Sequence, residues 1–130
     1  MVDSEKLKAV CVDDKPEIRN MVEAVLKFNG VEPTMLSDGR LMVETARRIQ
    51  PDFVILDLRM PEIDGWEVAR QLRSDSALKH IPIIVLTASG ITQDRALGNA
   101  LAIDAYLYKP FGVKELMGAV NKIIARFRRA

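Results

Sequence analysis

The sequence predicts an α/β fold: a doubly wound, five-stranded parallel sheet in the order 2-1-3-4-5, with five helices. Three observations predict it. Short apolar runs alternate with amphipathic stretches five times along the 130 residues. Strands alternating with helices imply a parallel sheet covered on both faces, with right-handed crossovers. The run Phe53-Val54-Ile55-Leu56 leads straight into Asp57, as expected of a strand buried on both faces. Pro33 interrupts the second strand and places it at a sheet edge, which favours 2-1-3-4-5 over an order with that strand inside.

Each element has its own local signal. Leu7 to Val12 is the first strand and ends in Asp13-Asp14. Pro16 suits the first turn of a helix, where its missing N–H costs nothing. Ile18, Met21, Val22, Val25 and Leu26 mark one face of that helix, and Gly30 stops it. Val31 to Leu36 is the second strand. Ser37 or Asp38 caps the second helix, which Leu41, Thr45 and Ile49 support and Pro51 ends. After the Asp57 strand, Met60-Pro61 and Asp64-Gly65 turn the chain into a third helix. Its inward face is Val68, Ala69 and Leu72, with Trp66 expected partly exposed on the outer face.

Ser74 to Pro82 is a polar connection containing the single histidine, His80, which reads as a loop residue. Ile83 to Leu86 is the fourth strand, with Thr87 at its tip. The fourth helix, about Thr92 to Ala100, has a thin apolar stripe, and Gly98 weakens it by about 1 kcal/mol relative to alanine. Low local stability suits a switching segment. Ala105 to Tyr108 is the fifth strand and runs into Lys109-Pro110-Phe111. Val113, Leu116, Met117, Val120, Ile123, Ile124 and Phe127 then hold helical spacing. The basic end of that helix, Arg126, Arg128 and Arg129, reads as solvated cations favoured by the helix dipole.

Bulk properties narrow the function classes. The length fits one domain, residues 1–130. A net charge of +1 gives no strong pull toward nucleic acid or a membrane surface. The one cysteine, Cys11, lies inside an apolar strand and reads as a buried hydrophobe, which suits a reducing cytoplasm. The charged N-terminus lacks the apolar stretch of a signal peptide, and no apolar run approaches a membrane span.

In a parallel sheet the strand tips share one rim. Asp13, Asp14, Asp57, Thr87 and Lys109 therefore gather at the carboxyl ends, where ligands bind in open sheets. Three carboxylates repel one another unless a cation joins them, and oxygen donors of this kind suit a hard divalent ion such as Mg²⁺. A lysine and a hydroxyl suit phosphate oxygens. Neither Gly-x-x-x-x-Gly-Lys-Ser/Thr nor Gly-x-Gly-x-x-Gly follows the first strand, which disfavours the common nucleotide binders. With no loop to cradle a nucleotide, a carboxylate can itself receive the phosphoryl group.

The motifs Val12-Asp13-Asp14, Asp57-Leu58-Arg59-Met60-Pro61 through Asp64-Gly65, Thr87-Ala88 and Tyr106 to Phe111 together resemble the receiver domain of two-component response regulators, a flavodoxin-like fold. The layout is close to the single-domain chemotaxis regulators. The resemblance implies that Asp57 accepts the phosphoryl group. It also implies that Asp14, Asp57 and the backbone carbonyl of Arg59 bind Mg²⁺ directly, with Asp13 acting at least partly through water. Lys109 would pair with the phosphoryl group, and its bond to Pro110 would be cis. Thr87 would move onto the phosphoryl group, and Tyr106 would change rotamer with it. The resemblance also implies that Arg59 and Ser89 stand at positions that tune the phosphoryl lifetime.

The donor implied is a phosphohistidine on a sensor histidine kinase or a histidine phosphotransfer protein. The readout surface is the fourth helix, fifth strand and fifth helix, acting on a downstream protein target. No membrane and no direct nucleic acid is expected, and a monomer or a phosphorylation-dependent dimer in the cytoplasm is expected. Catalysis extends only to its own aspartyl phosphorylation and dephosphorylation.

Other readings make different demands. A phosphatase of the haloacid-dehalogenase type needs Asp-x-Asp, and Arg59 stands at the second carboxylate position. A pseudo-receiver that binds partners without phosphorylation would lack site residues, whereas all five are present. The sequence stops soon after the fifth helix, so no output domain is expected within it; in a longer regulator, a linker would begin at the basic end of that helix.

Overall fold

The computed structural model describes residues 6–88 and 95–128. Its strands are β1 (Leu7–Val12), β2 (Val31–Leu36), β3 (Phe53–Asp57), β4 (Ile83–Ala88) and β5 (Ala105–Lys109). Its helices are α1 (Pro16–Phe28), α2 (Met42–Ile49), α3 (Gly65–Ser74), α4 (Arg95–Ala100) and α5 (Val113–Phe127). The five strands form one sheet in the order β2-β1-β3-β4-β5, and every pairing is parallel. Pro33 lies in the edge strand, where it pairs with Ala9 and leaves no central ladder bond unmade.

Alternation along the strands divides the core into two layers. Val10, Val12, Val54, Leu56, Ile83 and Val85 face one way and pack with Met42 and Ala46 of α2 and Val68, Ala69 and Leu72 of α3. Ala9, Cys11, Phe53, Ile55, Ile84 and Leu86 face the other way, toward Val22, Val25 and Leu26 of α1 and Leu116, Val120, Ile123 and Ile124 of α5. Full burial of one such side chain contributes about 1.5–3 kcal/mol. The central strands β1, β3 and β4, whose tips carry the site, are buried between both layers.

Local chemistry sets the boundaries. Pro16 opens α1, and Gly30 follows its cap with φ 77°, the left-handed conformation glycine adopts freely. Asp38 accepts a hydrogen bond from the Arg40 N–H and starts a 3-10 turn, Gly39–Leu41, before α2. The buried face of α2 is Met42, Thr45 and Ala46, whereas Leu41 is exposed. Leu41 belongs to the 3-10 turn and not to α2, so it falls outside the buried stripe of that helix. In α5, Leu116, Val120, Ile123 and Ile124 are buried, while Val113 and Phe127 lie exposed at its two ends.

Trp66 departs from the expectation of an outer face: it is 7% exposed and belongs to the core. It flanks the stripe of Val68, Ala69 and Leu72, and α4 covers that flank. Away from the site, Arg73 donates to the carbonyls of Leu101, Lys79, Ile81 and Ala102 at 2.7, 3.2, 2.6 and 2.9 Å. One guanidinium thus ties the end of α3 to the chain after α4 and to the entry of β4. The Thr92 start expected for the fourth helix lies outside the described residues, as does Ser89.

Candidate phosphoryl-acceptor site

β1 and β3 are neighbours, with Val12 opposite Leu56, so Asp13 and Asp57 arrive side by side at the sheet rim. Asp13 is fully buried. Its Oδ1 accepts the Lys15 N–H at 2.9 Å, and its carbonyl accepts a hydrogen bond from Arg19 Nη1 at 2.8 Å. Sequence reasoning alone does not single out Arg19. It lies in α1, and its spacing from the Asp-Asp pair was the only signal available.

Asp57, 1% exposed, turns one oxygen toward donors: Oδ1 accepts the Arg59 N–H at 3.1 Å and lies 3.4 Å from Lys109 Nζ. Lys109 reaches across from β5 and also stands 3.3 Å from Asp13 Oδ2. Its bond to Pro110 is cis. Burial pushes the Asp57 carboxyl up to about 6, and the Asp13 charge adds to the rise. The Arg59 N–H and the Lys109 ammonium oppose it.

Asp13, Asp14 and Asp57 each offer an oxygen within 4.8 Å of the others. Two buried side-chain oxygens lack a hydrogen-bond partner among the described residues, Asp14 Oδ1 and Asp57 Oδ2, and both belong to this cluster. Buried carboxylate oxygens left unpaired are costly, and hard divalent cations favour oxygen donors. The donor set therefore fits Mg²⁺.

The loop after β3 forms the side of the site. Gly65 N–H donates to the Leu58 carbonyl at 3.0 Å, and Asp64 Oδ1 caps α3 by accepting the Trp66 N–H at 3.0 Å. A Cβ on Gly65 would run into the Leu58 backbone and the Asp57 carbonyl, so this close approach requires glycine. The loop and Asp14 line an open cleft of about 670 Å³. Arg59 is exposed at its edge.

Thr87, 3% exposed, is the penultimate residue of β4, at the rim that carries the acid cluster, and its Oγ1 donates to the Ala88 carbonyl at 3.3 Å. On the neighbouring strand Tyr106 is half-buried, packs against the core layer of α2 and α3, and stacks with Tyr108 at 6.3 Å between ring centroids. The structure thus brings Asp13, Asp14, Asp57, Thr87 and Lys109 to one rim, with Tyr106 on the adjoining strand.

Residues 9–121 match the family model of the response regulator receiver domain. Among curated relatives, the probable transcriptional regulator ycf27 of Guillardia theta is 38% identical over 96% of this chain and 48% of its own length. The DNA-binding response regulator MtrA of Mycolicibacterium smegmatis is 38% identical over 98% of this chain and 54% of its own length. The chain thus spans about half the length of these relatives. Among solved structures, the chemotaxis response regulator CheY4 of Vibrio cholerae superposes with a TM-score of 0.84 at 30% identity, covering 92% of this chain and 99% of that one. The receiver domain of the Francisella response regulator 1452 gives 0.82 at 28% identity, over 94% and 99%. With a strand order, an acid cluster and a family match that agree, this chain belongs to the receiver domains of two-component response regulators.

Proposed function

We propose that Asp57 accepts a phosphoryl group from a phosphohistidine on a sensor histidine kinase or phosphotransfer protein. The observation that carries this reading is the Asp57 carboxylate itself, with one oxygen held by Lys109 and the Arg59 N–H and the other, Oδ2, buried in the acid cluster with no hydrogen-bond partner among the described residues. A carboxylate oxygen of Asp57 forms a bond to phosphorus as the phosphorus–nitrogen bond breaks, and the donor imidazole leaves as the neutral ring once protonated. Water later attacks phosphorus and returns the carboxylate and inorganic phosphate.

Asp14, Asp57 and the Arg59 carbonyl would hold Mg²⁺ directly, with Asp13 at least partly through water. When bound, it neutralises charge on the transferring phosphoryl oxygens. Lys109 pairs with the same oxygens, so the protein contributes chiefly positioning and charge stabilisation. Thr87 gains an acceptor in the phosphoryl group and turns toward it. This differential contact shifts a two-state equilibrium, which Tyr106 passes to the surface of α4, β5 and α5. Arg59, at the cleft edge, and Ser89 tune the lifetime of the phosphoryl group.

This surface acts on a protein target in the cytoplasm; in a longer regulator it would act on the attached half. Among the described residues, no helix is long and apolar enough to cross a membrane. The test is beryllofluoride with Mg²⁺, followed by NMR. Thr87, Tyr106 and the resonances of α4 and β5 should shift. Shifts confined to the acid cluster would overturn the switch assignment.

A further inference from the structure

Gly98 lies on the buried side of α4, next to Leu97 and close to Leu101, both of which pack against the core. Its backbone is helical, so no unusual conformation demands glycine there. Glycine weakens a helix interior by about 1 kcal/mol relative to alanine, and the described part of α4 is six residues, Arg95–Ala100. The neighbours account for its presence. A Cβ on Gly98 would overlap the Tyr106 hydroxyl oxygen, lie 3.0 Å from Tyr106 Cζ and 3.5 Å from Trp66 Cη2. The space that a side chain would fill is held by the end of the Tyr106 ring, with the buried indole of Trp66 beside it.

Tyr106 is paired with Val85 in the register of β4 and β5, and Thr87 is paired with Tyr108. Alternation along the strands puts Tyr106, Val85 and Thr87 on one face of the sheet, the face that α4 covers. The ring is therefore turned in between α4 and the sheet, on the side where Thr87 stands.

We infer that Gly98 is a positioning residue for the switch: its missing side chain makes the seat, walled by Trp66, in which Tyr106 rests beneath α4. This rests on the proposed function and names how its site is coupled to the surface. Seating the ring and placing α4 are then one event. A ligand that draws Thr87 toward Asp57 favours the seated ring, and by linkage the seat strengthens that ligand's binding.

The experiment uses the full chain with Gly98→Ala, reading the emission of Trp66, the only tryptophan, and the Mg²⁺-dependent affinity for beryllofluoride. Emission should differ from the parent before any ligand is added, because the ring is displaced from the indole. Beryllofluoride affinity should fall on the order of tenfold. Adding Tyr106→Phe removes the overlapping hydroxyl and should bring both readouts back toward the parent. In a Tyr106→Ala background, Gly98→Ala should change neither.

A purely structural role predicts otherwise: a more stable α4 with emission and affinity unmoved. That result, or a loss that Tyr106→Phe does not relieve, would overturn the inference. If the parent itself binds no beryllofluoride, the proposed function fails, while the emission comparison still decides whether Gly98 seats the ring.

Discussion

Lys109 Nζ stands 3.4 Å from Asp57 Oδ1, joining the tip of the last strand to the tip of the central one. The same ammonium lies 3.3 Å from Asp13 Oδ2, so one cation serves two buried carboxylates. On the proposed function, this ammonium would meet the oxygens of the incoming phosphoryl group.

Replacing that cation should therefore slow the chemistry. Lys109→Met should lower the rate of Asp57 phosphorylation by acetyl phosphate by about 10²-fold, the usual loss when one charge-stabilising donor is removed. Mg²⁺ binding, measured by Trp66 quenching, should persist because the carboxylates remain. An unchanged phosphorylation rate would remove Lys109 from the mechanism.

Stability should depend on pH through Asp57. Its carboxyl titrates near 6 in the folded protein, against 3.8 ordinarily. The folded state thus holds this proton more tightly than the unfolded chain. As pH rises from about 4 to about 6 the unfolded chain ionises first, and stability falls. Above that window the buried charge costs roughly 3 kcal/mol at most. In metal-free protein, Asp57→Asn should be more stable than the parent by about 1–3 kcal/mol at pH 7.5, with the gap closing below pH 4. Urea denaturation in chelator across that range checks it; a parent that is the more stable at pH 7.5 would contradict the burial argument.

Added Mg²⁺ should reverse that penalty. At a hundred times its Kd it should stabilise the parent by about 2.7 kcal/mol, read as a rise in Tm. Asp14→Asn removes a carboxylate of the cluster and should abolish most of the rise. Equal stabilisation of both proteins would move the metal elsewhere.

The close approach at Gly65 makes a prediction about the fold. Gly65→Ala drives a methyl group into the Leu58 backbone and the Asp57 carbonyl. Backbone cannot yield as a flexible side chain can, so the variant should lose about 2 kcal/mol or more. Thermal denaturation within experimental error of the parent would show that the loop relaxes freely.

The sheet was legible because its determinants are local. Pro33 marks the edge, and the apolar run before Asp57 marks the centre. Once the order of strands is known, Asp13, Asp14, Thr87 and Lys109 must share a rim with Asp57. Trp66 was not legible, because its burial depends on α4 crossing a flank that helical spacing alone assigns to solvent. Arg73 was hidden for a related reason: its partners are main-chain carbonyls, whose positions depend on the path of the chain and leave no mark in residue identity. Likewise, Gly98 reads in the sequence as a weak point in a helix, because the Tyr106 ring that fills the space beside it comes from another element.

The central claim is that Asp57 is the phosphoryl acceptor, and intact mass after incubation with acetyl phosphate and Mg²⁺ tests it most directly. The account predicts one phosphoryl adduct on the parent, none on Asp57→Asn, and none when chelator is added first. An adduct of equal yield on Asp57→Asn would contradict it.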